Sequence, residues 1–171
     1  CGKIDRTGGT IRVNGKELEL GSMKEHIGFV PQHDVLDESL TVFETLEFSA
    51  NLRLNLPKEN RKAVVVKVMI ALELFERKDQ LISTLSGGQK KRVNIGIELV
   101  GAPSALFLDE PTTGLDATTA QSIMKVLAKL AKVSNIIVCA VIHQPRPSIT
   151  AMVDKMILLA QGGRMVWNGS E

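Results

Sequence analysis

Between positions 118 and 132 (TTAQSIMKVLAKLAK) apolar residues recur at Ile123, Val126 or Leu127, and Leu130, the three-to-four spacing of a helix with one buried face. Two further helical patterns, TVFETLEFSANLRL at 41–54 and RKAVVVKVMIALEL at 61–74, follow one another with no strand-like segment between them. Strands are predicted where β-branched and apolar residues cluster between turn residues: TIRVNG at 10–15, HIGFVPQ at 26–32, ALFLDE at 105–110 and IIVCAVIHQ at 136–144. KMILLA at 155–160 and RMVWNG at 164–169, joined by a glycine-containing turn, read as a hairpin. Strands alternating with helices imply an α/β fold with a largely parallel sheet covered on both faces, and the consecutive helices imply a helical insertion beside it.

Composition narrows the class. Of 171 residues, 44% are apolar and 23% charged, ordinary for a globular domain, and no fixed-period repeat appears. The net charge of +2, from 21 basic and 19 acidic residues, lacks the basic footprint of a nucleic-acid binder. The run IIVCAVI is far shorter than the roughly 20 apolar residues of a membrane span, and no signal peptide opens the chain. Two cysteines, Cys1 and Cys139, make no disulfide framework; Cys139 is expected to be a buried reduced thiol in that apolar run. The cluster KENRK at 58–62 reads as a solvated helix start. The opening on Cys1, without an initiator methionine, reads as an excerpt.

The candidate chemistry begins at ALFLDE. Its apolar residues form a buried strand, and Asp109 and Glu110 emerge at the carboxyl end, where open α/β sheets place ligands. Asp109 would hold Mg²⁺ and Glu110 would accept a proton from an attacking water, the parts phosphoryl transfer needs; a solvated acid pair is the bland alternative. In LSGGQKKRVNIGIEL at 85–99, Ser86, Gly87 and Gly88 precede a helical pattern, so bare backbone N–H groups and a hydroxyl form an anion seat. Lys90, Lys91 and Arg92 in the first turn oppose the helix dipole, a cost that a bound polyphosphate is expected to offset; the alternative is a solvated basic face.

LSGGQ at 85–89, the apolar-DE motif ending at Asp109 and Glu110, and GLD at 114–116 together resemble the nucleotide-binding domain of an ABC ATPase, over nearly the whole chain. The resemblance implies an ABC-type P-loop NTPase fold with a helical signature subdomain at about 41–100 and a sheet-containing core at 1–40 and 101–171, forming one partial domain. It implies ATP and Mg²⁺ as cofactors. It places Gln32 on the glutamine that senses metal and attacking water, Asp116 on the D-loop aspartate as a nucleotide-binding residue, and His143 on the histidine that contacts the γ-phosphate. It makes Ser86, Gly87, Gly88 and Gln89 nucleotide-binding residues that serve ATP held by a partner subunit. His26 and His33 have no such support and are expected at the surface or in packing; Trp167 and the six methionines are expected in core or edge packing.

LTVFETLEFSANLRL, SGGQKKRVNIGIEL, LFLDEPTTGLDA, IHQPR and LLAQGGRMVWNG further resemble subfamily G, the white-pigment and multidrug or sterol half-transporters. That resemblance implies a transmembrane domain on the same parent chain, pairing with a second ABC ATPase domain, a cytosolic-face location on a membrane, and export of lipid, sterol, pigment or drug-like substrates. The alternatives are a non-transport ABC ATPase acting on nucleic acid or ribosomes, for which no sustained heptads are present, and a catalytically inactive binding module. The phosphate loop is the part expected to be missing. In CGKID, Ile4 stands where Ser or Thr should follow Lys3, and DRTGGT continues as a turn into a strand. By the resemblance, Cys1 to Lys3 end the helix that a loop further upstream would open. The chain as given is therefore expected neither to bind ATP tightly nor to hydrolyse it.

Overall fold

The computed structural model describes residues 8–17 and 20–170. Cys1 to Lys3, expected to end a helix, lie outside the described residues. Near the start, β1 (Arg12–Val13) and β2 (Lys16–Glu17) form a short antiparallel ladder. The segment 10–15, expected as a strand, is strand only at Arg12 and Val13: Asn14 and Gly15 both take positive φ, 51° and 79°, which the two-residue hairpin turn requires.

Three parallel strands carry the core, in the order β3 (Ile27–Val30), β4 (Ala105–Asp109), β5 (Ile137–Val141). The α/β class and the parallel sheet are as the pattern predicts. The crossover from β3 to β4 consists of α1 (Val42–Arg53), α2 (Lys58–Ala71) and α3 (Gly87–Leu99), so the consecutive helices do form an insertion. The crossover from β4 to β5 is α4 (Ala117–Ser134), whose buried stripe includes Ile123, Val126, Leu127 and Leu130. A single helical turn, α5 (Pro147–Thr150), leads to an antiparallel hairpin of β6 (Met156–Leu159) and β7 (Met165–Gly169).

Alternation along the sheet shows which face is covered. Val30, Leu106 and Leu108 are fully or almost fully buried in one core with Leu46, Val93, Ile95, Ile123 and Leu127 of the helices. On the opposite face the register line Phe29, Phe107, Cys139 is only partly covered, and at β5 the residues Ile137, Cys139 and Val141 are exposed. Cys139 is thus not the buried thiol expected: it points away from α4, on the sheet face that no helix among the described residues covers. The methionines divide likewise, with Met69 and Met124 in the core and Met165 of the hairpin 58% exposed.

Caps fix where the helices begin. Thr41 and Glu44 form a capping box on α1, and Ser86 and Gln89 form another on α3. The insertion is tied to the sheet by charge as well as by packing. Arg53 of α1 donates to both carboxylate oxygens of Glu98 on α3, at 2.9 and 2.6 Å, and Glu98 Oε2 also accepts from the Phe29 N–H of β3 at 3.1 Å. The carboxylate holds the Arg53 guanidinium pKa above its ordinary value, chiefly through this hydrogen bonding.

Candidate active site

Parallel strands end together, and the three residues that follow β3, β4 and β5 meet at that end of the sheet. Glu110, directly after β4, is held at φ 47°, a sparsely occupied conformation for a residue with a side chain, while its N–H donates to Val141 O of β5 at 3.0 Å. The bend turns its carboxylate back over the strand ends. There Oε2 accepts from Gln32 Nε2 at 2.7 Å and from Thr113 Oγ1 at 2.9 Å, and Oε1 lies 2.8 Å from His143 Nε2. Gln32, Glu110 and His143, each expected to be catalytic, are therefore in direct contact.

The contact has a direction. Glu110 is mostly buried, its side chain 18% exposed, whereas His143 is 72% exposed, so the cluster opens to solvent on the histidine side. A carboxylate offers about four lone-pair sites, and three are occupied here, which orients the group and leaves room for one further donor such as a water. Beside His143 a cavity of about 150 Å³ is lined by Thr112, Leu115, Ile142, Gln144 and Arg146, among others. Gln144 also takes a positive φ, 46°, so the chain bends sharply on leaving β5 as it does on leaving β4.

Asp109 ends β4 and is partly exposed. Among the described residues no group of three or more His, Cys, Asp or Glu side chains is placed to hold a metal ion. A single carboxylate fits Mg²⁺ nonetheless, because this ion is commonly held by one or two carboxylates and completed by water and phosphate oxygens.

Ser86, Gly87, Gly88 and Gln89 sit together at the start of α3, and none of them hydrogen-bonds to Gln32, Glu110 or His143 among the described residues. Gln89 is engaged in the cap, its Oε1 accepting from Ser86 N–H at 2.9 Å. The glycines bring this turn against the start of α4: a Cβ at Gly87 would lie 3.6 Å from Leu115 Cδ2, and one at Gly88 only 2.3 Å from Thr119 Cγ2. Asp116 is the N-cap of α4, accepting from Thr118 N–H and Thr119 N–H at 3.0 Å each and from Thr119 Oγ1 at 2.5 Å. The Thr119 hydroxyl, then its backbone N–H, holds the Asp116 carboxyl below the ordinary aspartate range.

The three cations of α3 correct the sequence expectation. They do not form a solvated face, because a carboxylate of this chain pairs with each of them. Lys90 pairs with Glu38 at 2.5 Å, Arg92 pairs with Glu73 at 2.5 Å while also donating to Ser122 Oγ, and Lys91 pairs with Asp34 at 2.6 Å. Lys91 and Asn94 are both 4% exposed, and neither the burial of Lys91 nor that of Asn94 was legible in the sequence. Their spacing of three on one helix was the available signal, although a lysine in a basic run reads first as solvated.

Residues 1–113 match the family described as ABC transporter. The chain is 45% identical over 168 residues to ABC transporter G family member 28 of Arabidopsis thaliana, covering 94% of this chain and 15% of that protein. It is 44% identical over 168 residues to ABC transporter G family member 25 of Oryza sativa subsp. japonica, covering 94% of this chain and 17% of that protein. The chain thus spans less than a fifth of the length of these curated relatives. The solved structure of cbiO1 from Clostridium perfringens, part of the ABC transporter complex cbiONQ, superposes with a TM-score of 0.89 at 28% identity, over 99% of this chain and 68% of that one. The family match takes in 113 of the 171 residues, the acid-ended strand β4 and the glycine-opened helix α3 included, and the chain belongs to the ABC transporter family.

Proposed function

We propose that this chain is part of the ATP-hydrolysing module of a subfamily G transporter that exports lipid, sterol, pigment or drug-like substrates. The observation that carries the reading is the carboxylate of Glu110, bent out of β4 and held between Gln32 and His143 with one lone-pair site free. Glu110 acts as the general base toward the attacking water. Gln32 orients that carboxylate and senses the water, and His143, exposed on the open side, donates toward the terminal phosphate. Asp109 would hold Mg²⁺, which when bound supplies charge neutralisation of the phosphates.

The same reading assigns Ser86, Gly87 and Gly88 to nucleotide held by a second ATPase domain, since their N–H groups open a helix and lie apart from this chain's own Glu110. Gln89 and Asp116 support that surface by capping α3 and α4. Among the described residues no helix is long and apolar enough to cross a membrane. The G family names of the relatives support a transmembrane domain on the same parent chain, working with this module at the cytosolic face. No role for nucleic acid enters this reading.

Glu110→Gln in the full-length transporter tests it. The substitution keeps the size and most hydrogen bonds but removes the proton acceptor, so ATP hydrolysis should fall by roughly 10²–10⁴-fold while ATP stays bound. Turnover equal to wild type would remove Glu110 from the role.

A further inference from the structure

We propose that Lys91 is a positioning residue for hydrolysis, holding the backbone of Gln32, and through it the contact between Gln32 and Glu110, to helix α3. The inference rests on the assignment of Glu110 as the base. Lys91 is the second residue beyond the LSGGQ string and its side chain is 4% exposed. Burying an ammonium is costly, and a cation within the first turns of a helix also opposes the dipole. An apolar side chain would serve packing better at this position, so the cation needs another reason.

Its contacts supply one. The Lys91 ammonium pairs with Asp34 Oδ1 at 2.6 Å and donates to the main-chain oxygen of Gln32 at 2.9 Å. Three residues along the same helix, Asn94 Nδ2 donates to the same Asp34 oxygen at 2.9 Å. Together the two side chains grip the segment leaving β3 at one backbone carbonyl and one carboxylate. The carbonyl belongs to the residue whose side chain reaches Glu110 Oε2 at 2.7 Å. A displacement of α3 therefore moves the root of the Gln32 side chain, and with it the orientation of the base. Since α3 begins at Ser86 and Gly87, the clip joins the turn assigned to the partner's nucleotide to this chain's own hydrolytic carboxylate by one short rigid helix.

A structural lysine and a positioning lysine differ in one respect. The grip on a main-chain oxygen survives Gln32→Ala, but in that background there is no side chain left to aim. Steady-state ATP hydrolysis by the full-length transporter is measured for Lys91→Met, for Gln32→Ala and for both together. Misplacement by about an ångström costs up to roughly 10²-fold, so Lys91→Met should lower kcat by about 10- to 100-fold with KM for ATP little changed, and Lys91→Arg should recover part of the loss. Added to Gln32→Ala, Lys91→Met should cost little more, because contacting residues that act as a unit are not additive. An unchanged kcat in Lys91→Met, or a loss of the same size in the Gln32→Ala background, overturns the proposal. Should Lys91→Met fail to fold, Asp34→Asn at the more exposed end of the pair is read by the same two outcomes. Glu110→Gln run alongside separates the failures: if it hydrolyses ATP normally, the base assignment falls and the positioning role with it, and if it is inactive while Lys91→Met is normal, only the positioning role falls.

Discussion

Gln32 Nε2 donates to Glu110 Oε2 at 2.7 Å, although 78 residues, including the whole helical insertion, separate the two in sequence. Parallel pairing accounts for the meeting. Val30 is in register with Leu108, so residues two beyond each strand position emerge side by side at the same edge of the sheet. β5 continues the register, Leu108 with Ala140, which brings Ile142 level with Gln32 and Glu110, and His143 reaches the cluster from one residue further along. The cluster is thus a product of strand order and register, and its chemistry comes from the side chains just past each strand end.

His143→Ala removes the donor on Glu110 Oε1 and opens the cluster further without touching the core, since the histidine is 72% exposed. Phosphate release by the full-length transporter should fall by about 10²-fold, in the range of general acid–base contributions, with stability unchanged. Wild-type turnover in this variant would show that His143 is only a strand-end residue.

Much of this site was legible because its parts are local. ALFLDE announces a strand ending in two acids, and LSGGQ followed by a helical pattern announces a helix opened by glycines. The features that escaped depend on the other side of a contact. Cys139 sits in an apolar run that reads as a strand covered on both faces, yet exposure was decided by where α4 packs, under Val138 and Ala140 only. Lys90, Lys91 and Arg92 read as uncompensated because Glu38, Asp34 and Glu73 lie 19 to 57 residues away in sequence, on segments whose approach is set by the insertion's packing.

Gly88→Ala should destabilise the protein by about 1–3 kcal/mol, the usual cost of overpacking, because the added methyl would sit 2.3 Å from Thr119 Cγ2. The paired variant Gly88→Ala with Thr119→Ser removes that methyl and keeps the hydroxyl bonded to Asp116, so thermal melts should show recovery. A double variant no more stable than Gly88→Ala alone would locate the strain elsewhere.

Arg53→Ala leaves Glu98, whose side chain is 14% exposed, with the Phe29 N–H as its one remaining hydrogen-bond partner among the described residues. A largely buried charge stripped of its partner costs about 1–3 kcal/mol, and denaturant unfolding should show a loss of that size. Combining Arg53→Ala with Glu98→Gln removes the bare charge while an amide oxygen still accepts from Phe29, so part of the loss should return. If the double variant is no better than Arg53→Ala, packing of the arginine stem rather than charge holds α1 to α3.

Asp116 gives the cap of α4 a pH dependence of known sign. Its folded carboxyl lies below the ordinary aspartate value of 3.8, mainly through the Thr119 hydroxyl. Above 3.8 the group is ionised whether folded or unfolded, and its full stabilisation is present. As pH falls below 3.8 the unfolded chain takes up the proton first, so the stabilisation is lost until the folded group is protonated too. Glu44 in the α1 capping box is lowered for the same kind of reason, by the Thr41 N–H and hydroxyl, and contributes its own acid loss in every variant. A single acid titration therefore says nothing about Asp116, and a difference is needed. Asp116→Asn keeps an oxygen for the Thr118 and Thr119 N–H groups but does not titrate, so its melting temperature should approach that of wild type as pH drops below 3.8, having been lower at neutral pH. Parallel curves for the two proteins across that range would mean that the carboxylate's charge contributes nothing to the cap.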